Sequence, residues 1–223
     1  MNTKLFFQAI IKFALGVLII GLLIFIPANT INYWNGWLFM GLLFIPMFIA
    51  GLVMMVKSPE LLRKRLNAKE KENEQKQVIL FSGLMFLSGF IIAGLNYRYK
   101  WIMLPNSVVI FSSIIFIIAY ILYAEVLREN TYLSRTIEVQ ENQKVVDTGL
   151  YAIVRHPMYA TTILLFLSMP LVLGSFISFL IFLVYPFIIA KRIKNEEEVL
   201  EKELNGYSDY KKKVKYRMIP FIW

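Results

Sequence analysis

Two short stretches concentrate the residue types that do chemistry. Gly149-Leu-Tyr-Ala-Ile-Val-Arg-His-Pro-Met-Tyr159 holds the only histidine of the 223-residue chain, between an arginine and a proline that opens a long apolar run. Pro157 suits the first position of a helix, where the N–H it lacks has no acceptor, and this makes His156 the N-cap. The N–H groups and positive dipole end beyond it favour an anion such as a carboxylate. The same dipole disfavours an imidazolium, so His156 is expected to be neutral and hydrogen-bonded. At this level two readings stand. Arg155 and His156 either form part of a ligand site, or are a basic anchor and a plain cap at the mouth of a helix.

The second stretch is Arg192-Ile-Lys-Asn-Glu-Glu-Glu-Val-Leu200 and its continuation to Leu204. At 100° per residue, Ile193, Leu200 and Leu204 make one narrow apolar stripe, flanked by Glu196 and Glu197 on opposite sides. Glu198, Glu201 and Glu203 point to solvent. Arg192 lies one turn before Glu196 on the same edge, the less favourable order for stabilising a helix. As a surface salt bridge the pair is worth only about 0.3–0.5 kcal/mol. A carboxylate bordering a buried stripe is also well placed to meet a ligand, so a solvated acidic face and a binding site both remain open.

The elements that position these stretches are membrane helices. Hydrophobic residues make up 58% of the chain and mean hydropathy is +0.60, beyond the range of soluble domains. Leu5–Ile26, Gly36–Val56, Val78–Leu95 and Ser107–Leu127 each approach the roughly 20 apolar residues that a span needs. The first lacks a small-residue cleavage site and is expected to remain as a span. Without cysteine there are no disulfides to read, and one histidine argues against a transition-metal site.

Charge placement orients the spans. Residues 27–35 carry no Lys or Arg, whereas Lys57–Gln77 carries Lys57, Arg63, Lys64, Arg65, Lys69, Lys71 and Lys76. Arg98 and Lys100 are alone in the third loop; Arg128, Arg135, Lys144 and Arg155 occupy the fourth, and nine cations follow Ala190. The positive-inside rule therefore predicts cytoplasmic termini and a cytoplasmic site. It also requires Tyr159–Ala190 to fold back on itself. Pro170 and Gly174-Ser175 supply a break, and each arm of about 15 residues is short for a full span. Ser58-Pro59-Glu60 reads as the start of a helix whose Leu61, Leu62 and Leu66 suit the inner membrane surface. Glu70–Gln77 reads as a solvated charged run. Asn205-Gly206 can end the acidic helix with a left-handed residue, and the aromatic, basic tail to Trp223 reads as membrane-docked. The expected fold is an all-α, polytopic transmembrane bundle with four spans, a C-terminal hairpin and an amphipathic tail helix, forming one domain over residues 1–223. A nucleic-acid role would need a basic soluble domain, and the sequence has none.

Taken together, Gly149–Tyr159, the short hairpin, Arg192, Glu196-Glu197, Leu200, Gly206-Tyr207, Tyr210 and Pro220 resemble the isoprenylcysteine carboxyl methyltransferase and phospholipid methyltransferase group of integral membrane enzymes. The likeness runs roughly from Gln143 to Trp223; Ser58-Pro-Glu-Leu-Leu-Arg is similar as well. It implies S-adenosylmethionine as cofactor, held by residues 128–223, with residues 1–127 as N-terminal spans. By position, Tyr151, His156, Pro157, Met158 and Tyr159 would line the cofactor pocket, Val145 and Val146 would add apolar contacts, and Glu196 would touch the cofactor. Arg192 matches an arginine at the reacting end of the substrate. Residue chemistry agrees with these roles. The helix mouth suits a carboxylate, Glu196 an ammonium or ribose, and Tyr151 and Tyr159 an adenine or sulfonium. A carboxylate acceptor oriented by Arg192 needs no base; an amine or hydroxyl would need Glu197 or His156.

Two other functions fit parts of the pattern. The Arg-His-Pro element and the Lys215–Trp223 ending are also similar to membrane sterol and enone reductases that use NADPH. Those tend to carry Asn-Tyr and then an acid after the proline, where this chain has Met158-Tyr159 and then Ala160-Thr161-Thr162. A transport or binding protein should hold ionisable groups along a path through its spans; Lys12 and Glu125 alone lie well inside spans, both near cytoplasmic ends. The expected partners are the bilayer and a lipid-like substrate, with carboxyl O-methylation as the expected reaction.

Overall fold

The structure, a computed structural model, describes residues 3–66, 73–133, 137 and 139–223, without the side chains of 73–75. Lys69, Lys71 and Arg135 of the charge count, and Glu70–Glu72 of the charged run, lie outside the described residues. The chain is an all-helical membrane bundle. Its elements are α1 (Thr3–Ala28), α2 (Trp34–Lys57), α3 (Pro59–Leu66), α4 (Asn73–Tyr99), α5 (Asn106–Glu129), a 3-10 turn (Gly149–Ala152), α6 (Pro157–Val172), α7 (Phe176–Phe182), α8 (Tyr185–Glu203) and α9 (Tyr207–Lys213). Among the described residues, five helical stretches are long and apolar enough to cross a bilayer, with Phe176–Glu203 counted as one and the shorter α6 beside them. Phe7, Ile11, Leu15 and Leu18 on α1, and Ile114, Ile118 and Ile121 on α5, are exposed, as expected of helices whose outer faces meet acyl chains rather than water. From residue 73 the expected solvated run is already the first turn of α4.

The hairpin is asymmetric. α6 has 16 residues, about 24 Å at 1.5 Å per residue, and is short for a span as its sequence implies. The second arm is longer than expected, because no glycine or proline interrupts the chain between Pro186 and Gly206; α8 continues unbroken from the apolar arm into the acidic stretch. Pro170 does not make the turn but stays inside α6. The reversal falls at Gly174, whose φ of +72° is left-handed and open to glycine at little cost. Ser175 then caps α7 by accepting the Ser178 N–H at 3.2 Å. Pro186 separates α7 from α8, since it offers no N–H to the Phe182 carbonyl one turn before it.

Both ends of the bundle are tied by polar contacts. At the end away from Arg155, the Tyr33 hydroxyl donates to the Leu173 carbonyl and Asn35 Nδ2 to the Val172 carbonyl at 3.2 Å, satisfying acceptors that the end of α6 leaves open. Asn96 donates to the Ile102 carbonyl and accepts the Ile102 N–H. At the opposite end, Lys12 donates to the Leu66 carbonyl at 2.6 Å and Lys191 to Gln77 at 3.2 Å. Leu61 and Leu62 are buried, so α3 lies against the bundle with its apolar face inward.

Close helix packing depends on Gly94. A Cβ there would stand 2.5 Å from the Ile24 carbonyl oxygen and 3.1 Å from the Ala28 nitrogen, both backbone atoms that no rotamer can move. Small residues let membrane helices approach in this way. Gly94→Ala is expected to destabilise the protein by about 1–3 kcal/mol. Gly83→Ala, which meets nothing within 4 Å, should be neutral or slightly stabilising. Thermal unfolding of both variants in detergent checks the contrast.

Candidate active site

The Gly149–Tyr159 stretch is held from both sides. The Glu129 carboxylate, at the end of α5, accepts the Leu150 N–H at 3.0 Å and lies over Gly149, where a Cβ would collide with it. Tyr151 is buried; its hydroxyl accepts from Asn130 Nδ2 at 3.1 Å and its carbonyl accepts the Tyr210 hydroxyl at 2.7 Å. Burial pushes the Tyr151 phenol up from its ordinary pKa. The Arg155 and His156 N–H groups bond the Tyr216 and Arg217 carbonyls at 2.9 and 2.8 Å, so the C-terminal tail runs alongside the motif as a strap.

Side chains complete the strap around Glu197, which is 2% exposed. Arg155 Nε donates to its Oε1 at 2.8 Å, Arg217 Nε to its Oε2 at 2.9 Å, and His156 Nε2 lies 3.2 Å from Oε1. The Arg155 guanidinium also donates from Nη1 to the Val214 and Lys215 carbonyls, at 2.7 and 2.8 Å. One carboxylate on α8 thus joins the mouth of α6 to the tail. His156 is the positional N-cap of α6, but its side chain makes no cap bond; its ring turns instead to the α8 carboxylates, with Nδ1 3.9 Å from Glu196.

Glu196 and Arg192 meet through one tyrosine. The buried Tyr159 hydroxyl accepts from Arg192 Nε at 2.8 Å and donates to Glu196 Oε2. This places an anion and a cation in the wall of a cleft lined on one side by Tyr151, Arg155, His156, Met158 and Tyr159. Arg192, Glu196, Leu200, Leu204, Tyr207 and Tyr210 form the second side, and Asn130, Tyr132, Val145 and Val146 a third.

Of the residues singled out from sequence, Val145, Val146, Tyr151, His156, Met158, Tyr159, Arg192 and Glu196 share this cleft. Pro157 begins α6 and is not among the lining residues, and neither is Glu197. The mouth of α6 is also a poorer anion cradle than expected. Pro157 has no N–H, and those of Tyr159 and Ala160 bond the His156 carbonyl at 3.1 and 3.3 Å. Only the Met158 N–H is left over from the first turn among the described residues. Glu198, Glu201 and Glu203 are exposed, as the helical wheel predicts.

The tail departs most from its sequence reading. Tyr207 and Tyr210 do not face headgroups. They are buried in a small core with Leu204 and Val214, against Val139, Val145 and Leu200; only the very end presents exposed Ile219, Phe221 and Ile222. Gly206, at φ +86°, makes the turn that swings α9 under the cleft. Their spacing of three was legible as one helical face, but nothing local told which surface that face would meet.

Glu197→Gln keeps the shape of the side chain and removes the charge that holds Arg155. Loss of one partner of a buried ion pair costs about 3–5 kcal/mol, and the variant should unfold at clearly lower temperature. Amide exchange at Arg155 and His156, whose N–H groups bond the tail, should rise with it. Arg217→Ala should cost less, since that side chain is 26% exposed.

No curated protein matches the chain. Residues 108–202, from α5 through nearly all of α8, match the profile of the isoprenylcysteine carboxyl methyltransferase family. The matched segment contains the Arg-His-Pro motif, the hairpin, Arg192 and both carboxylates, and stops short of α9. By that segment the chain is similar to the isoprenylcysteine carboxyl methyltransferase family, and a helical membrane bundle carries the matched residues.

Proposed function

We propose that the cleft binds S-adenosylmethionine and that the protein methylates the carboxylate of a lipid-like substrate at the cytoplasmic membrane face. The observation that carries this reading is the Arg192–Tyr159–Glu196 relay, a cation and an anion held side by side in an aromatic-lined cleft. A molecule with a carboxylate, an ammonium, a sulfonium and an adenosine calls for such a mixture. Glu196 suits the ammonium or the ribose hydroxyls, while Tyr151 and Tyr159 offer faces to the adenine or the sulfonium. His156 turns its ring towards both carboxylates, and Met158, Val145 and Val146 supply apolar wall. Bound there, S-adenosylmethionine would supply an electrophilic methyl group.

The protein's own contribution is position and desolvation. Arg192 can orient a substrate carboxylate by charge-assisted hydrogen bonds. The engagement of Glu197 favours such an acceptor. Its two oxygens are taken up by Arg155, His156 and Arg217, so we assign it to holding the tail rather than to removing a proton. His156 shares that engagement. A carboxylate nucleophile needs no proton acceptor, whereas an amine or hydroxyl does. The cytoplasmic orientation rests on the positive charge gathered at the end of the bundle that carries the cleft. The segments 57–66, 139–156 and 204–217 lie at this end, opposite Arg98 and Lys100.

Binding of radiolabelled S-adenosylmethionine to the detergent-purified protein, compared with NADPH, tests the class. S-adenosylmethionine alone should bind, and retention of only the nicotinamide would sink the reading. Glu196→Ala should weaken binding by about 10- to 100-fold, the range for loss of a charged hydrogen bond. Arg192→Ala should lower turnover more than cofactor affinity; an equal fall in both would move Arg192 into the cofactor pocket.

A further inference from the structure

Tyr207 and Tyr210 lie one turn apart on α9, and both are buried, at 4% and 6% exposure. Their hydroxyls have opposite fates. Tyr210 donates to the Tyr151 carbonyl at 2.7 Å. Tyr207 Oη finds no hydrogen-bond partner among the described residues, although it is fully buried and its side chain lines the cleft. An unpaired buried hydroxyl costs about 1–3 kcal/mol, and a tail placed only for packing would be better served by phenylalanine. The bonds around Tyr207 show how specific this omission is. Arg155 and His156 nearby both meet Glu197, and Tyr159, Glu196 and Arg192 are joined in a relay.

We infer that the Tyr207 hydroxyl is a ligand-binding group of the cleft, donating its hydrogen to an acceptor atom of the bound methyl donor. The inference rests on the reading of the cleft as an S-adenosylmethionine site and adds to it a contact from outside the segment 108–202 that matches the family. Burial, with the Glu197 and Glu196 carboxylates nearby, pushes the Tyr207 phenol up, so the hydroxyl keeps its proton throughout the working range of an enzyme. The contact also gives α9 a function. The strap that holds the tail to the mouth of α6 would bring a donor to the floor of the cleft as well as closing it.

The test compares Tyr207→Phe and Tyr210→Phe in the full-length protein, by thermal unfolding without ligand and by calorimetric binding of S-adenosylmethionine and S-adenosylhomocysteine. Tyr207→Phe should unfold at the same or a higher temperature than the unaltered protein when no ligand is present. It should bind both ligands about three- to tenfold more weakly, the loss of one neutral hydrogen bond. Tyr210→Phe, which gives up a bond already made, should lower the ligand-free unfolding temperature. Unchanged affinity in Tyr207→Phe overturns the inference, and so does a ligand-free loss of stability as large as that of Tyr210→Phe, which would show an internal partner. If the unaltered protein binds neither ligand, the methyl-donor reading fails and takes this inference with it. Strong binding by the unaltered protein with no change in Tyr207→Phe removes the tyrosine contact alone.

Discussion

The Glu197 carboxylate is the point on which the architecture around the cleft turns. Two guanidinium groups and an imidazole converge on a side chain that is 2% exposed. Taking such charges out of water is expensive, and their mutual attraction offsets the cost only when geometry is good and the remaining donors are satisfied. Here they are: Arg155 places its other donors on the Val214 and Lys215 carbonyls. Because these groups come from three separate segments, the cluster is complete only when α8, the entry to α6 and the tail are all in place. The cluster therefore acts less as a source of net stability than as a condition on the fold.

That condition also sorts the neighbouring acids. Consecutive residues on a helix point about 100° apart, so fixing Glu197 inward turns Glu196 to the cleft edge and Glu198 to solvent. Arg192, one turn before Glu196, then reaches the same Tyr159 hydroxyl. Three consecutive glutamates thus acquire different environments from one buried contact. The far end of the bundle supports this arrangement. Tyr33 and Asn35 hold the last carbonyls of α6, and Gly174 reverses the chain so tightly that α8 returns beside the helix it left. α6 is short, so its mouth and its end are both anchored by polar groups rather than by a long lipid-facing wall.

Much of this was legible in the amino-acid order. Spanning helices announce themselves by apolar length, and Pro157 and Gly206 mark helix boundaries by what their backbones can and cannot do. Val145, Val146, Tyr151, His156, Met158, Tyr159, Arg192 and Glu196 could be gathered from motif and resemblance, and they share one cleft. The failures have physical causes. Pro170 suggests a break, but a proline in the last turn of a helix loses few bonds and can remain inside it. The charged composition of the acidic stretch suggests a separate tail helix, but no residue between it and the hairpin interrupts helical geometry. The aromatic, basic tail reads as membrane-docked, yet Tyr207 and Tyr210 pack into a protein core, because a helical face shows what it carries and not what it will meet.

Sequence by itself determined the class of the molecule, the first four of its long apolar helices and the hairpin after them, and the family profile that residues 108–202 match. Those follow from local quantities: hydropathy over a span, charge counts between spans, and residue types at fixed spacing. Only the tertiary structure decided which of two adjacent glutamates is buried, that the tail strap closes over the Arg-His-Pro motif, and that one of two tail tyrosines keeps an uncommitted hydroxyl in the cleft. Each of these depends on which groups converge on a shared point in space. Hydrogen bonds and ion pairs between segments some 40 to 60 residues apart leave no periodic trace along the chain.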